Sequence, residues 1–338
     1  MINGAIDRII GSVKKRGVRG FFASAFFDVV DALHNRFIRY RDNRSGFKFS
    51  NNSRDKPRLV MVLAGYKPLL WPLVLDRLSE ICPDDTDVCI VTAGKHVESL
   101  KALSHGRGWS YLSVEKNKTG LALNLAVKLH PCADLIHKLD EDVFLAAGYF
   151  ERMESGFCRI RTDGIYDPGI CVPTLNVNGV SYRWFLERLD LLESYERQFG
   201  KALISCVGVP AHHDPSAAVW IWTRSLPFDE VSSRFSRVND EINSTYELIG
   251  TRFSIGAFLI ERSFYDQIEG LRSSWREGIL GVDEEGLCEA CVLYSRPMFY
   301  LKDVLAGHFS FFPQEKGMLD SWDTFSQLDP RTFPDSRR

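Results

Sequence analysis

The chain has 338 residues, 42 Lys and Arg against 44 Asp and Glu, and 45% apolar residues. That length exceeds one small domain but is compatible with a single large α/β unit carrying additions. A balanced charge argues against a nucleic-acid binder, which would carry a marked basic excess, and no stretch approaches the roughly 20 apolar residues of a membrane span. A secretory signal pattern is absent too, because the basic cluster follows the first apolar residues.

Charge is unevenly placed. Residues 1–55 hold 11 Lys and Arg against 5 Asp, a net +6, and the remainder holds 31 against 39, a net −8. Phe22, Phe26, Val29, Val30, Leu33 and Phe37 make a wide apolar stripe at helical spacing. Asp28, Asp31, Asn35 and Arg39 lie opposite, and Arg36 flanks the stripe. An earlier helix would pair Ile2, Ile6, Ile9 and Val13 with Lys14, Lys15, Arg16 and Arg19. A basic amphipathic helix with phenylalanines suits the plane of an anionic membrane interface; the same stripe suits packing on the catalytic domain or on a second subunit. The polar run from Asn43 to Pro57 reads as a linker. The expected division is therefore a basic helical extension with its linker over 1–55, then halves at 56–150 and 151–338.

From Arg58 onward strands and helices alternate. Leu59–Ala64 is a continuous apolar run of the kind a buried parallel strand needs, ended by Gly65-Tyr66-Lys67-Pro68. A helix over Leu70–Ile81 tolerates Pro72 in its first turn. Asp87–Thr92 and Trp109–Val114 read as strands around a helix near Val97–Ser104. Thr119 can cap the next helix, and a fourth strand leads from Asp134 into Asp140-Glu141-Asp142. Such alternation predicts a mostly parallel sheet with helices on both faces, and ligands of such sheets bind beyond the carboxyl ends of the strands. Asp140 and Asp142 are at i and i+2, so in an extended segment they project to one side. Two carboxylates aimed at one point repel unless a cation lies between them, and Mg²⁺ or Mn²⁺ suits oxygen ligands shared with phosphates.

Beyond residue 150 the alternation loosens. Gly169–Pro173 and Phe253–Ile260 read as strands, with Gly256 permitting close backbone approach, and Tyr182–Phe199 reads as one charged helix. Asp283-Glu284-Glu285 opens a helix, where macrodipole stabilisation alone would explain the acids. Met298–Leu301 is strand-like, and His308 follows in what reads as a loop. His212-His213-Asp214 resembles a metal cluster, but adjacent histidines rarely converge. The eight cysteines are mostly scattered singly, as buried thiols are in a reducing compartment, and Cys288-Glu289-Ala290-Cys291 lacks a partner pair at zinc spacing. Neither a G-x-x-x-x-G-K-[ST] nor a strand-following G-x-G-x-x-G occurs, leaving P-loop and dinucleotide readings without support.

The order strand–turn, D-x-D, glycine-containing strand (Ser254 to Arg262), Val282-Asp283-Glu284, then Gly307-His308 resembles the core of GT-A-fold nucleotide-sugar glycosyltransferases. Among them it is most similar to the inverting enzymes of bacterial surface polysaccharide synthesis, over about residues 57–315. The resemblance implies a GT-A-like, mostly parallel central sheet flanked by helices, with the amphipathic helical extension outside it. It implies a nucleotide-sugar donor, a glycan or lipid-linked glycan acceptor, and a bound Mn²⁺ or Mg²⁺. Carried onto this sequence, Asp140 would meet the donor ribose or the metal, Asp142 the metal, and His308 the metal or diphosphate. Ala64, Gly65, Tyr66 and Thr92 would hold the nucleoside, Asn117, Lys118 and Asn124 would lie near the diphosphate, and Asp283 or Glu284 would be the general base. The acidic order departs from the usual Glu-before-Asp, which leaves that base open, and no tryptophan-type acceptor motif follows. A cytoplasmic protein, peripheral on the inner face of the membrane, would fit these expectations. The rivals are a sugar-phosphate nucleotidyltransferase, which wants a glycine- and basic-rich loop after the first strand, and a non-catalytic assembly subunit, which would have lost its carboxylates.

Overall fold

The computed structural model describes residues 44–205, 208–237, 245–309 and 312–320, together with positions 13–14, 17–20, 22, 25–26, 29–30, 33–34, 36–38 and 40–42. The chain divides into two units, Met1–Gly46 and Phe47–Arg338.

The described positions of the first unit up to Asp42 are helical. Phe22, Phe26, Val29, Val30, Leu33 and Phe37 are all exposed, Phe22 at 66% and Phe26 at 64%. Ile38 and Asp42 are buried, and the Arg44 guanidinium stands 4.1 Å over the Tyr40 ring. Ile2, Ile6, Ile9, Lys15, Arg16, Asp28, Asp31, Asn35 and Arg39, which completed the amphipathic reading, lie outside the described residues.

The second unit is built on one ten-stranded sheet in the order β1-β4-β3-β2-β5-β9-β7-β10-β6, with β8 paired to β10. The strands are β1 Phe47–Ser50, β2 Arg58–Leu63, β3 Thr86–Ala93, β4 Ser110–Val114, β5 Leu135–Asp140, β6 Val143–Leu145, β7 Ile170–Leu175, β8 Tyr246–Leu248, β9 Ala257–Glu261 and β10 Met298–His308. The pairs β4-β3, β3-β2 and β2-β5 are parallel, as is β7-β10. The antiparallel β9 joins the two groups. Strands β2, β3, β4, β5, β7 and β10 thus run one way, and the sheet is mostly parallel. It is also continuous across residue 150, so the chain segments on either side of that point share one sheet.

Apolar runs explain this half of the fold. Leu59 to Val62 and Val88 to Val91 are almost inaccessible to solvent, as strands covered on both faces must be. Helices α1 (Trp71–Ile81), α2 (Glu98–Gly106) and α3 (Thr119–Leu129) follow the parallel strands. α1 carries Pro72 in its first turn, where no intrahelical N–H is lost. Thr119 is the first residue of α3 rather than its cap; Lys118 precedes it in extended conformation.

Four sequence expectations change. Residues 47–50, read as linker, form the edge strand β1, antiparallel to β4 with Phe47 opposite Val114. The helix expected over Tyr182–Phe199 is two, α5 (Tyr182–Arg188) and α6 (Leu192–Phe199), because Asp190 takes a positive φ of 59°, a conformation that ends a helix and that Asp tolerates. Residues 253–256 precede β9 instead of belonging to it. The segment around His308 is no loop: Met298–His308 is one strand, irregular between Leu301 and Leu305, and His308 is its last residue.

A second core covers the β6–β10 edge of the sheet. It contains α7 (Pro210–His213), α8 (Pro215–Arg224) and α9 (Phe228–Arg237), with Phe144, Tyr182, Phe185, Trp222, Phe228 and Phe309 buried together. Trp222 stacks on Phe309 at 4.4 Å between ring centroids. His213 Nδ1 contacts the Val209 carbonyl, and Asp214 caps α8 by accepting from the Ser216 amide at 2.8 Å. That pairing gives the His212-His213-Asp214 run a helix-capping role, and among the described residues no group of three His, Cys, Asp or Glu side chains converges as a metal cage. Cys288 and Cys291 lie on α11 (Val282–Leu293), and burial pushes both thiols up, Cys291 to about 12; neither is primed for redox or metal chemistry.

The sheet is tied to helix α4 (Tyr149–Thr162) by an ion pair. Arg58 forks onto Glu154 at 2.6 and 2.7 Å, and His137 lies 3.5 Å from the same carboxylate. Burial by itself would raise Glu154, but His137 and Arg58 outweigh it and hold the group at about 2. A carboxylate depressed in the folded state adds stability above its unfolded pKa of about 4.5 and loses it as pH falls toward 2. Glu154→Gln is expected to cost about 3 kcal/mol at pH 7, with the deficit shrinking steadily between pH 4.5 and 2.5. Urea unfolding of both proteins across that range checks it, and a deficit independent of pH would contradict the ion-pair assignment.

Candidate functional site

The carboxyl ends of β2, β5 and β10 bring the chemistry-bearing residues to one edge of the sheet. Parallel pairing sets Leu63 opposite Asp140, and the Glu141 amide donates to the Leu63 carbonyl at 3.0 Å. The Asp140 amide donates to Gly256 O at 2.8 Å, and the Phe309 amide to Asp142 O at 3.0 Å. The triplet is therefore held on its neighbours by its own backbone.

Glu141, between the two aspartates, was missed by sequence reasoning. Its carboxylate accepts from the Gly65 amide at 2.9 Å and the Tyr66 amide at 2.8 Å, and also from the Trp71 indole. Gly65 has φ +134°, a conformation that strains any residue with a Cβ, so the turn favours glycine. β5 ends at Asp140, and Glu141 and Asp142 form a turn, so the orientation of Glu141 is set by these contacts and carried no local signal in the sequence.

Asp142 is buried, its side chain only 3% exposed. Its Oδ2 meets the Lys67 ammonium and lies 3.6 Å from His308 Nε2. Burial would raise Asp142, but His308 and Lys67 outweigh it and the net shift is downward. Burial lowers His308 to about 4 despite Asp142, so at neutral pH the imidazole is neutral and Lys67 carries the positive charge. His308 is fixed at both ends of its backbone: its amide donates to Asn176 Oδ1 at 2.9 Å, and its carbonyl accepts from the Trp222 indole at 2.9 Å.

Asp140 faces a different cation. Lys138 Nζ approaches Asp140 Oδ1 at 2.6 Å and donates to the Ile255 carbonyl at 2.6 Å. Burial raises Asp140 to about 6, against the pull of Lys138. Ile255 continues the connection, since its amide donates to Glu284 Oε2 at 3.3 Å. Arg252 donates to Glu284 and Glu285, each at 2.9 Å, and burial raises Glu284. Glu284 is thus connected to the Asp140 side of the edge, whereas Asp283 is buried at 8% exposure.

The remaining expected residues divide. Gly65, Tyr66 and Asn117 come together: the Tyr66 hydroxyl donates to Asn117 Oδ1 at 3.2 Å and to Ala93 O at 3.3 Å, and the Lys95 ammonium stands 3.6 Å over the half-exposed Tyr66 ring. Ala64 is buried, its amide donating to Val91 O at 2.9 Å. Thr92 and Asn124 have their polar atoms committed inside the protein. The Thr92 hydroxyl donates to Lys95 O at 2.8 Å. Asn124 accepts from the Leu271 amide at 2.8 Å and from the Tyr265 hydroxyl, and donates to Leu271 O at 2.8 Å. Lys118 is buried at 2% exposure. Asn117 also fastens a distant loop, its amide donating to Glu277 Oε2 at 2.9 Å and its carbonyl accepting from the Gly278 amide at 2.8 Å. A groove of about 820 Å³ between α1 and α2, lined by residues such as Asp76, Leu103 and Arg107, contains none of these groups.

The donor set fits a divalent cation of the Mg²⁺ or Mn²⁺ kind in one respect: Asp142 as carboxylate and His308 as neutral imidazole are both in the ligating state, and such ions take one or two protein ligands when phosphates supply the rest. Lys67 already neutralises Asp142.

No protein-family model matches the sequence, and no curated protein matches it. Among solved structures, the chain is similar to GalNAc-T7 crystallised with UDP, GalNAc and Mn²⁺, at 12% identity and a TM-score of 0.47 over 76% of this chain and 45% of that one. It is similar to the mannosyltransferase PcManGT from Pyrobaculum calidifontis in complex with GDP-Man and Mn²⁺, at 12% identity and 0.41, over 85% and 66%. It is also similar to glucosyl-3-phosphoglycerate synthase from Mycobacterium tuberculosis in complex with Mn²⁺, UDP and phosphoglyceric acid, at 13% identity and 0.42, over 83% and 80%. The chain spans under half the length of the first and about two thirds of the second. All three scores are under 0.5, so the case for function rests on the site.

Glu141→Gln replaces one acceptor oxygen by a donor facing other donors. It is expected to destabilise the protein by about 2–3 kcal/mol and to speed amide hydrogen exchange at Gly65 and Tyr66 above all. Unchanged exchange there would show that the turn does not depend on Glu141.

Proposed function

We propose that this chain is a metal-dependent glycosyltransferase of GT-A type that moves a sugar from a nucleotide-sugar donor to a hydroxyl of a glycan or lipid-linked glycan, with inversion. The observation that carries the reading is the meeting of Asp142, His308 and Lys67 at the carboxyl ends of three strands that run the same way, with Glu284 connected to the same edge through Ile255 and Lys138. Ligands of such sheets occupy that edge.

In this mechanism Asp142 and His308 would hold a divalent cation, Mn²⁺ or Mg²⁺, with the donor diphosphate supplying further oxygen ligands. When bound, the ion acts as a Lewis acid on the charge that builds as the diphosphate departs. Tyr66, with its ring exposed beside Asn117, offers a stacking surface for the nucleoside base. Glu284 is the better candidate for the base: Arg252 and the Ile255 amide orient it, and burial raises its pKa toward the operating range of a general base. It accepts the proton of the acceptor hydroxyl while the acceptor oxygen bonds to the sugar C1 and the bond from C1 to the diphosphate breaks. Asp140, flanked by Lys138, is left to a donor hydroxyl. Asp142→Asn is expected to lower transfer about a hundredfold or more, roughly 2.7 kcal/mol. Glu284→Gln should abolish transfer with donor binding retained, because proton removal matters only in the transition state. Kinetics and donor titrations of both variants check this; full activity of Asp142→Asn, or loss of donor binding in Glu284→Gln, contradicts the assignment.

We infer a role in surface polysaccharide synthesis at the inner face of the membrane, a location that the N-terminal unit supports. Its exposed phenylalanines and basic excess suit an anionic bilayer, and among the described residues no helix is long and apolar enough to cross one. The full chain is expected to float with anionic liposomes, less so in high salt, and Phe26→Asp with Phe37→Asp should release it. Equal flotation of the double variant would favour packing against this chain or another copy.

A further inference from the structure

Lys67 meets Asp142, the carboxylate assigned to the metal. The pair is not a chance surface contact. The side chains of Lys67 and Asp142 are 18% and 3% exposed, and the turn carrying Lys67 is held by Glu141, the residue next to Asp142 in sequence. One triplet therefore fixes the backbone of the turn with its middle carboxylate and binds the turn's ammonium with its last.

A buried carboxylate without a counter-charge is costly, and removing one partner of such a pair leaves that cost exposed. Lys67 offsets it while no metal is bound. For the same reason a dication reaching Asp142 meets an already neutral pair and is repelled by the ammonium. A nucleoside diphosphate changes the balance, because its phosphate oxygens are strong acceptors for an ammonium. We propose that Lys67 is a resident counter-cation that leaves Asp142 for the donor diphosphate, so that metal binds weakly alone and tightly together with the nucleotide. This rests on the metal-dependent transfer reading and adds to it a positioning residue and an order of assembly. The coupling is reciprocal: whatever factor the nucleotide contributes to metal affinity, the metal contributes to nucleotide affinity.

The test is Mn²⁺ binding followed by the electron paramagnetic resonance of the free ion, in wild type, Lys67→Met and Lys67→Arg. Each is measured alone and with UDP, GDP, CDP or dTDP. Wild type is expected to bind Mn²⁺ weakly alone and at least tenfold more tightly with one of the nucleotides. Lys67→Met should bind Mn²⁺ alone about tenfold more tightly than wild type, with the nucleotide effect reduced, and Lys67→Arg should stay near wild type. Melting temperature supplies a second readout: Mn²⁺ alone should raise it more in Lys67→Met than in wild type, because only there does Asp142 lack its lysine. Mn²⁺ affinity in Lys67→Met equal to or weaker than wild type overturns the proposal and leaves metal-dependent transfer standing. Failure of every protein to bind Mn²⁺, with or without any nucleotide, overturns both.

Discussion

The carboxylate of Glu141 binds the amides of Gly65 and Tyr66 and the indole of Trp71, and the arrangement of the strand edge depends on it. Glu141 lies in the turn that follows β5, and its carboxylate faces the turn after β2 while those of Asp140 and Asp142 meet Lys138 and Lys67. The inward carboxylate is satisfied by three donors, which offsets the cost of burying it. With the turn after β2 fixed in this way, Lys67 and Tyr66 extend from a rigid base, and the aspartates can be held close without folding being lost to their repulsion.

Charge balance at this edge is local. Asp140 has Lys138, Asp142 has Lys67, and Glu284 has Arg252. Each acid is paired with a base from a different part of the chain or from its own strand, which offsets the cost of burying it. The neutral His308 adds no charge to this edge. Its rigidity comes from Asn176 and Trp222, and Trp222 in turn is packed against Phe309 in the second core. The helical layer therefore adds to what the β6 pairing already does at the end of β10: the Trp222 indole holds the His308 carbonyl.

Much of this was legible in the sequence. Continuous apolar runs gave the parallel strands, and the acidic triplet was legible as the end of one of them; the extended i, i+2 geometry was not, because β5 ends at Asp140 and Asp142 lies in the turn beyond it. Less legible was anything set by tertiary pairing. Phe47-Lys48-Phe49-Ser50 alternates apolar and polar residues as an edge strand does, but it is only four residues long and set among Asn, Ser and Arg, and its pairing with β4 is what makes it a strand. His308 follows a stretch in which Lys302 and Asp303 interrupt the apolar pattern, so the strand was read as ending early; the register shift between Leu301 and Leu305 absorbs that interruption. Lys67 carried no local signal, because its role comes from a contact 75 residues away in sequence. Asn124 misled in the opposite direction: its amide fits a phosphate contact by type, but the Leu271 backbone and the Tyr265 hydroxyl occupy it.

The central claim is that this edge cleaves a nucleotide sugar with a metal's help. Release of nucleoside diphosphate from a panel of UDP-, GDP-, CDP- and dTDP-sugars, in Mn²⁺ and in EDTA, tests it most directly. The account predicts release from at least one member of the panel in Mn²⁺ and its loss in EDTA. Release at the same rate in EDTA, or none from any donor under either condition, would contradict it.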